Sequence, residues 1–469
     1  MNATLKRILC RLWALPVCFL FSYAFASLFS ENNVVYFDFA SKNHVFYIWF
    51  SVLLLLTLGF AYVCFFTPFI KRASEFLDLF PSNSATEIYS LVFSAAVAVA
   101  FCCLAYNGPV VDYEAHTEFA MQFDWSRLAE SVREFSSPLW HTVTSLLTRV
   151  LHIPVSFSCA LSTSLFCLGT YLAARGILRY YVNDAKYNLI CDAVAAMLMF
   201  MQPLFVPWFN PNPIIGQGSP VVLHNPTSLA VQPFALLCAF LALRILKNHS
   251  AEPQSESRTD YFRLSFFVFL STLAKPSFIQ IFVPALGIYL AVYLISNKFR
   301  EILFCVRLAA CFVPAVLYTF FIMFVEFLSA DMNNGNTIEF GWFDVWRASS
   351  PNIPVSILLG AGFCILYILL KNIRVKNKTE IFLMLLCWIV GILEFGILME
   401  SGDRKYHGNF SWGYCISLSL MYVFVTAELL ANTLSGGYKS RKIGYAEAAA
   451  IFVMAIQFVQ GFNYFTDLV

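Results

Sequence analysis

Apolar residues fall along the chain in long runs separated by short polar stretches. Thirteen such runs can be marked, near 8–29, 46–70, 87–106, 155–178, 188–206, 226–247, 262–274, 277–296, 304–327, 353–370, 381–399, 411–432 and 445–463. A helix of about 20 residues matches a hydrocarbon core of about 30 Å. The pattern therefore predicts an all-α polytopic membrane protein of about 13 transmembrane helices, a single domain over residues 1–469. The seventh run is short and meets the eighth at Lys275-Pro276. Proline lacks the amide hydrogen a continuous helix needs, so this pair reads as two spans or as one broken helix lining a cavity. The first run follows Lys6-Arg7, is long, is interrupted near its start by Arg11, and lacks a small-residue cleavage site. It is expected to be a retained helix rather than a signal peptide.

The polar stretches alternate between basic and basic-poor. With the N-terminus on one side, the loops and helix ends of that side hold 22 of the 30 Lys and Arg residues, among them Lys71, Arg72, Arg175, Arg179, Arg244, Lys298, Arg374 and Lys439. Positive charge is retained on the cytoplasmic side, so the N-terminus is expected in the cytoplasm and the C-terminus outside. In a chain of bacterial type this is the inner membrane. The outer loops are then about 107–153, 207–225, 328–352 and 400–410. Within the first, Trp125, Leu128, Val132 and Phe135 recur at helical spacing, which predicts a helix lying in the membrane interface.

Composition agrees with a lipid environment. Charged residues are 12% of the chain and mean hydropathy is +0.69, against about 25% charged in soluble proteins. A net charge of +2 and the lack of a long basic tract speak against nucleic acid as a partner. The 14 Cys lie mostly inside apolar runs without a CxxC pair, so neither a disulfide framework nor a zinc site is expected.

The unusual polar residues concentrate on the basic-poor side. Val111-Asp112-Tyr113-Glu114-Ala115-His116-Thr117-Glu118 follows the third run. In an extended segment Asp112, Glu114, His116 and Glu118 share one face; in a helix Asp112 pairs with His116 and Glu114 with Glu118. Either geometry offers carboxylates for general base work from Asp112 or Glu114. A divalent cation such as Mg2+ or Mn2+ could also be held by Asp112, Glu114 and Glu118. Val222-Leu223-His224-Asn225-Pro226-Thr227 opens the sixth run. A helix starting at Pro226 would present free amides to a phosphate, with His224 and Asn225 beside it. Lys275, in otherwise apolar surroundings, must snorkel, pair with an acid or face a polar cavity. Glu400-Ser401-Gly402-Asp403-Arg404-Lys405-Tyr406-His407 groups further ionisable residues, and the fork of Arg404 suits a phosphate. Glu394 and Glu326, inside runs, are further candidates for a cavity.

A family resemblance joins these pieces. The first outer loop, then Ser137-Pro138-Leu139-Trp140-His141-Thr142-Val143, Leu146-Leu147 and a run ending Tyr171-Leu172-Ala173-Ala174-Arg175, resembles the corresponding region of GT-C type glycosyltransferases. Leu273-Ala274-Lys275-Pro276 is similar to their L-T-K stretch. The likeness covers roughly residues 85–300, mostly as pattern, and Asp-Tyr-Glu stands where a plain Asp-Glu pair is usual.

The resemblance implies an integral-membrane enzyme that takes a sugar from a polyprenyl-phosphate carrier and passes it to an extracytoplasmic glycan or lipid acceptor. Asp112 or Glu114 would be the catalytic carboxylate. His116, His141, His224, Asn225, Lys275, Glu400, Arg404 and His407 would bind substrate or its phosphate. Two alternatives stand beside it: a surface-polysaccharide repeat-unit polymerase or ligase, and a secondary transporter, for which the Lys275-Pro276 break is the best argument.

Overall fold

The structure is a computed structural model, and it describes residues 87–107, 110–127, 131, 137–206, 209–210, 213–251, 257–328, 338–371, 375–434 and 444–469. The runs at 8–29 and 46–70 lie outside these residues, as do positions 128, 132 and 135 of the expected interfacial helix. Helices make up 81% of the structure, so the chain is an all-α membrane-type protein. Among the described residues, eight helices are long and apolar enough to cross a bilayer. They are α1 (Glu87–Asn107), α4 (Val155–Val182), α7 (Pro226–Ala251), α9 (Ser277–Ser296), α13 (Ile353–Leu370), α14 (Lys378–Ile397), α15 (Ser411–Leu434) and α16 (Tyr445–Leu468). Shorter helices fill the order: α2 (Val110–Gln122), α3 (Pro138–Ser145), α5 (Asn188–Leu198), α6 (Pro213–Gln217), α8 (Arg258–Ala274) and α12 (Asp344–Ser349). Strands β1 (Ile338–Phe340) and β2 (Leu398–Glu400) pair antiparallel, with Glu339 opposite Met399.

The ninth run is one span only if a bend is allowed. It forms α10 (Ile302–Ala310) and α11 (Val313–Leu328), turned by 48°. Pro314 explains the break, because its ring collides with the carbonyl four residues back, which is that of Ala310. Two expected spans fall short. Of 188–206 only Asn188–Leu198 is helical, and Gln202-Pro203 begins an irregular stretch. Its backbone is met by other parts of the bundle: Leu204 N–H donates to Leu359 O, and the Gln460 side chain bonds both backbone groups of Phe205. Irregular backbone at membrane depth is tolerated where protein satisfies it in this way. The seventh run becomes α8, of 17 residues. It nevertheless runs the length of α7: Asp260 at its start bonds Arg244 near the end of α7, and Lys275 just beyond it bonds Asn225 at the start of α7.

Contacts of this kind sort the helix ends into two sets. One set holds Arg175 and Arg179 with Asp192, Arg244 and Arg263 with Asp260, His249 with Glu301, Lys371 with Glu447, and Tyr181 with Glu380. The other holds Asp112, His224, Asn225, Lys275 and Trp412, and the pairing of Asn107 with the carbonyl of Val469. The long helices connect the two sets and enclose one large apolar core, in which α7 and α15 are the most deeply buried.

Candidate functional site

The site begins with α2. Its helical geometry decides between the two arrangements of the acidic stretch: Asp112 and His116 lie one turn apart on one face, and Glu114 and Glu118 lie on another. The first face packs against the bundle. The second is exposed, at Glu114 and at Glu118 alike. Among the described residues no group of three His, Cys, Asp or Glu side chains is arranged to hold a metal ion. The buried Tyr113 fixes α2 in place by donating to the carbonyl of Leu223 at 3.4 Å.

Asp112 thereby reaches the start of α7. Its Oδ2 accepts from the Asn225 amide at 2.9 Å and lies 3.7 Å from His224 Nε2. Burial holds His224 below its usual pKa, with the charge of Asp112 opposing that shift. The amide oxygen of Asn225 meets three donors: Lys275 Nζ at 3.1 Å, Thr227 Oγ1 at 2.9 Å and the Ser228 amide at 2.8 Å. Asn225 is therefore both the N-cap of α7 and the bridge between a carboxylate and an ammonium.

Lys275 sits in the break between α8 and α9 with extended backbone and is 8% exposed. Its Nζ also donates to Thr227 Oγ1 at 3.1 Å and stands 4.4 Å from the centre of the Trp412 ring. Among the described residues no carboxylate touches it directly, and burial pushes its pKa down to about 7, against the pull of Asp112. The group therefore changes charge near neutrality. Trp412 also faces His224, with ring centroids 6.2 Å apart.

His116 and His141 make a second pair. His116 Nδ1 lies 2.9 Å from His141 Nε2, and His141 Nδ1 lies 2.9 Å from the carbonyl of Ser137. Helix α3 is seated for this by Trp140, which donates to Thr163 at 3.1 Å, and by Thr144 against Ser162 at 2.6 Å. Burial is the main cause that lowers both imidazoles, His116 to about 2 and His141 to about 4, and the charge of Lys275 adds to it.

The expected residues thus divide. Asp112, His224, Asn225 and Lys275 come together, from three separate parts of the chain. His116 lies on the same face of α2 as Asp112, and His141 of α3 pairs with it. Glu400 accepts from Asn409 at 2.6 Å and lies 3.4 Å from Arg404 Nε, whose side chain is 51% exposed. His407 is exposed. Among the described residues no bond joins Glu400, Arg404 or His407 to the cluster; Trp412 is the residue that carries this loop to Lys275. Trp412 carries a sequence signal of its own, an aromatic at the seam between a polar loop and a span. Glu394 has one carboxylate oxygen buried without a hydrogen-bond partner among the described residues, packed against Gly413. The side chain of Glu326 lies outside the described residues.

The start of α7 differs from the expected phosphate cradle. Pro226 has no amide hydrogen, Asn225 N–H turns back to Val222 O, and Ser228 N–H is taken by the Asn225 side chain. Of the first amides, that of Thr227 alone is left without such a partner among the described residues. No family model, curated protein or solved structure matches this chain.

Proposed function

We propose that the chain is an integral-membrane glycosyltransferase of GT-C-like architecture, with about 13 spans and its site on the extracytoplasmic side. It moves a sugar from a polyprenyl-phosphate carrier to a glycan or lipid acceptor. One observation carries the reading: Asp112 and the buried Lys275 share the two ends of the Asn225 amide at one end of the bundle. Sugar transfer from a lipid phosphate asks for these two roles close together, a carboxylate to take the acceptor proton and a cation to meet the phosphate as it leaves. Asp112 fills the first role. Lys275, in its charged form, fills the second, with Trp412 as the apolar wall behind it. Glu114, exposed on the far face of α2, is left outside the chemistry.

The gathering of charge at one end, rather than midway along the helices, favours this reading over transport. A membrane assay with radiolabelled polyprenyl-phosphate sugars tests it. Wild type should label an acceptor product, and Asp112→Asn should lose at least about a hundredfold in rate, the usual scale of a general base. Glu114→Gln should stay near wild type. Equal rates in wild type and Asp112→Asn sink the proposal.

A further inference from the structure

The two imidazoles beside Asp112 are ordered by their partners. A carbonyl oxygen can only accept, so at 2.9 Å from Ser137 O the Nδ1 of His141 must carry the hydrogen. A neutral imidazole has one hydrogen, which makes Nε2 of His141 an acceptor. The nitrogen facing it at 2.9 Å, Nδ1 of His116, must then be the donor. By the same rule Nε2 of His116 is left with a bare lone pair. That atom has no hydrogen-bond partner among the described residues and is not buried. The relay from His116 through His141 to Ser137 therefore has a fixed direction and begins in an acceptor open to whatever occupies the site.

Both rings must be uncharged for this to hold. The buried setting and the nearby Lys275 keep them so, since each would otherwise add a second cation to a site that already holds one. An ionised phosphate offers only acceptor atoms at its oxygens, and two lone pairs repel. A hydroxyl offers the missing hydrogen. We propose that His116 Nε2 is a subsite for a neutral hydroxyl donor of the substrate, held in register by His141, and that the phosphate is excluded from it. Identifying that hydroxyl as one on the sugar acceptor rests on the transferase reading; the direction of the relay does not. His116 is one turn from Asp112 on α2, so a hydroxyl bound to it comes from the part of the acceptor next to the reacting oxygen. His116 binds, and His141 positions.

The relay is tested first on the full chain in liposomes, labelled with 15N in its seven histidines, the signals of His116 being those lost in His116→Leu. At pH 7 His116 should carry hydrogen on Nδ1 and none on Nε2. In His141→Leu that preference should disappear. His141→Gln should restore it, since its amide can donate to Ser137 and accept from His116. A charged His116, or hydrogen on its Nε2, overturns the relay whatever the protein transfers. The subsite is tested by kinetics. His116→Leu should raise the KM for acceptor about 3- to 10-fold, the worth of one hydrogen bond, with the KM for lipid-phosphate sugar unchanged. An unchanged acceptor KM, or a shift confined to the lipid donor, overturns the hydroxyl subsite even where the relay is intact. If wild type transfers no sugar from any carrier, the transferase reading and the acceptor assignment fall together, and the nitrogen spectra alone judge the relay.

Discussion

Lys275 is joined to Asp112 through a single intervening amide, that of Asn225, with 2.9 Å on the carboxylate side and 3.1 Å on the ammonium side. The carboxylate and the ammonium are thus held near one another and kept from direct contact. A direct ion pair would neutralise both; a bridged pair leaves each with capacity for a ligand. It also leaves Lys275 without the full stabilisation of a paired charge, which is why burial dominates and brings its pKa to about 7.

The first prediction concerns pH. In the unfolded chain the Lys275 amine titrates near 10.4, and in the fold near 7. Between those values the unfolded state binds the proton and the folded state does not, so stability should rise as pH increases from about 7 toward 10. Below 7 both states are charged and this group adds no slope. Activity should run the other way, falling above about pH 7 as the ammonium is lost. Thermal unfolding in detergent against pH, compared with Lys275→Met, checks the first; the rate profile checks the second. A variant profile with the wild-type slope would remove Lys275 from both effects.

Asn225→Ala should damage fold and site together. The cap on Ser228 N–H is worth about 1 kcal/mol, and Lys275 loses one of its two hydrogen-bond acceptors while remaining buried. A loss of about 2–4 kcal/mol is expected, since a buried polar group stripped of a partner costs a further 1–3 kcal/mol. Asn225→Asp keeps an oxygen for the cap and pairs with Lys275, but places a second carboxylate against Asp112. It should be better folded than Asn225→Ala and still inactive. Unfolding and transfer measured on both variants decide whether bridging matters beyond capping.

The long helices could be read from the sequence because hydropathy over about twenty residues reports lipid exposure directly. The windows failed where length and chemistry parted. Residues 188–206 are apolar enough for a span, yet Gln202-Pro203 stops the helix, and the Gln457 side chain and the Leu359 carbonyl complete the backbone bonding of the segment that follows. Asp112, His224, Asn225 and Lys275 were visible as costly polar residues beside apolar runs. That they meet was not visible, since 113 positions separate Asp112 from Asn225. Nor was the pairing of His116 with His141, which depends on how α3 folds back under α2. Arg404 drew attention by its chemistry, but its near neighbour Glu400 supplied a local partner.

The opposite end of the bundle should carry stability without chemistry. Asp192 is fully buried and accepts from Arg179 Nε at 2.8 Å and from Ser90 at 2.6 Å, with Arg175 at 3.5 Å. Removing one partner of a buried charge pair leaves the other uncompensated, at about 3–5 kcal/mol. Asp192→Ala should therefore unfold at a clearly lower temperature than wild type. Where it remains folded, it should keep the acceptor and donor KM values of wild type. A changed KM would place this cluster in communication with the site.

Gly362 tests how the irregular stretch after α5 is held. It interrupts α13 with φ +50° and ψ −126°, a positive-φ conformation that costs an L side chain about 1–3 kcal/mol, and an added Cβ would overlap the Gln457 amide. That amide is shared: Gln457 accepts from Phe363 N–H at 2.9 Å and donates to the carbonyl of Gln202 at 3.0 Å. The break in α13 frees the Phe363 amide for this bond, and Gln457 links it to the segment that replaces the end of the expected fifth span. Gly362→Ala should cost about 2–6 kcal/mol, backbone strain and a displaced glutamine acting together. Gln457→Ala alone should cost about 1–3 kcal/mol. If the two act through the shared contact, the double variant should be less destabilised than the sum of the singles, because the overlap has gone while the strain remains. Additive losses in a double-mutant cycle of unfolding temperatures would instead mean that the helix break and the Gln202 segment are held independently.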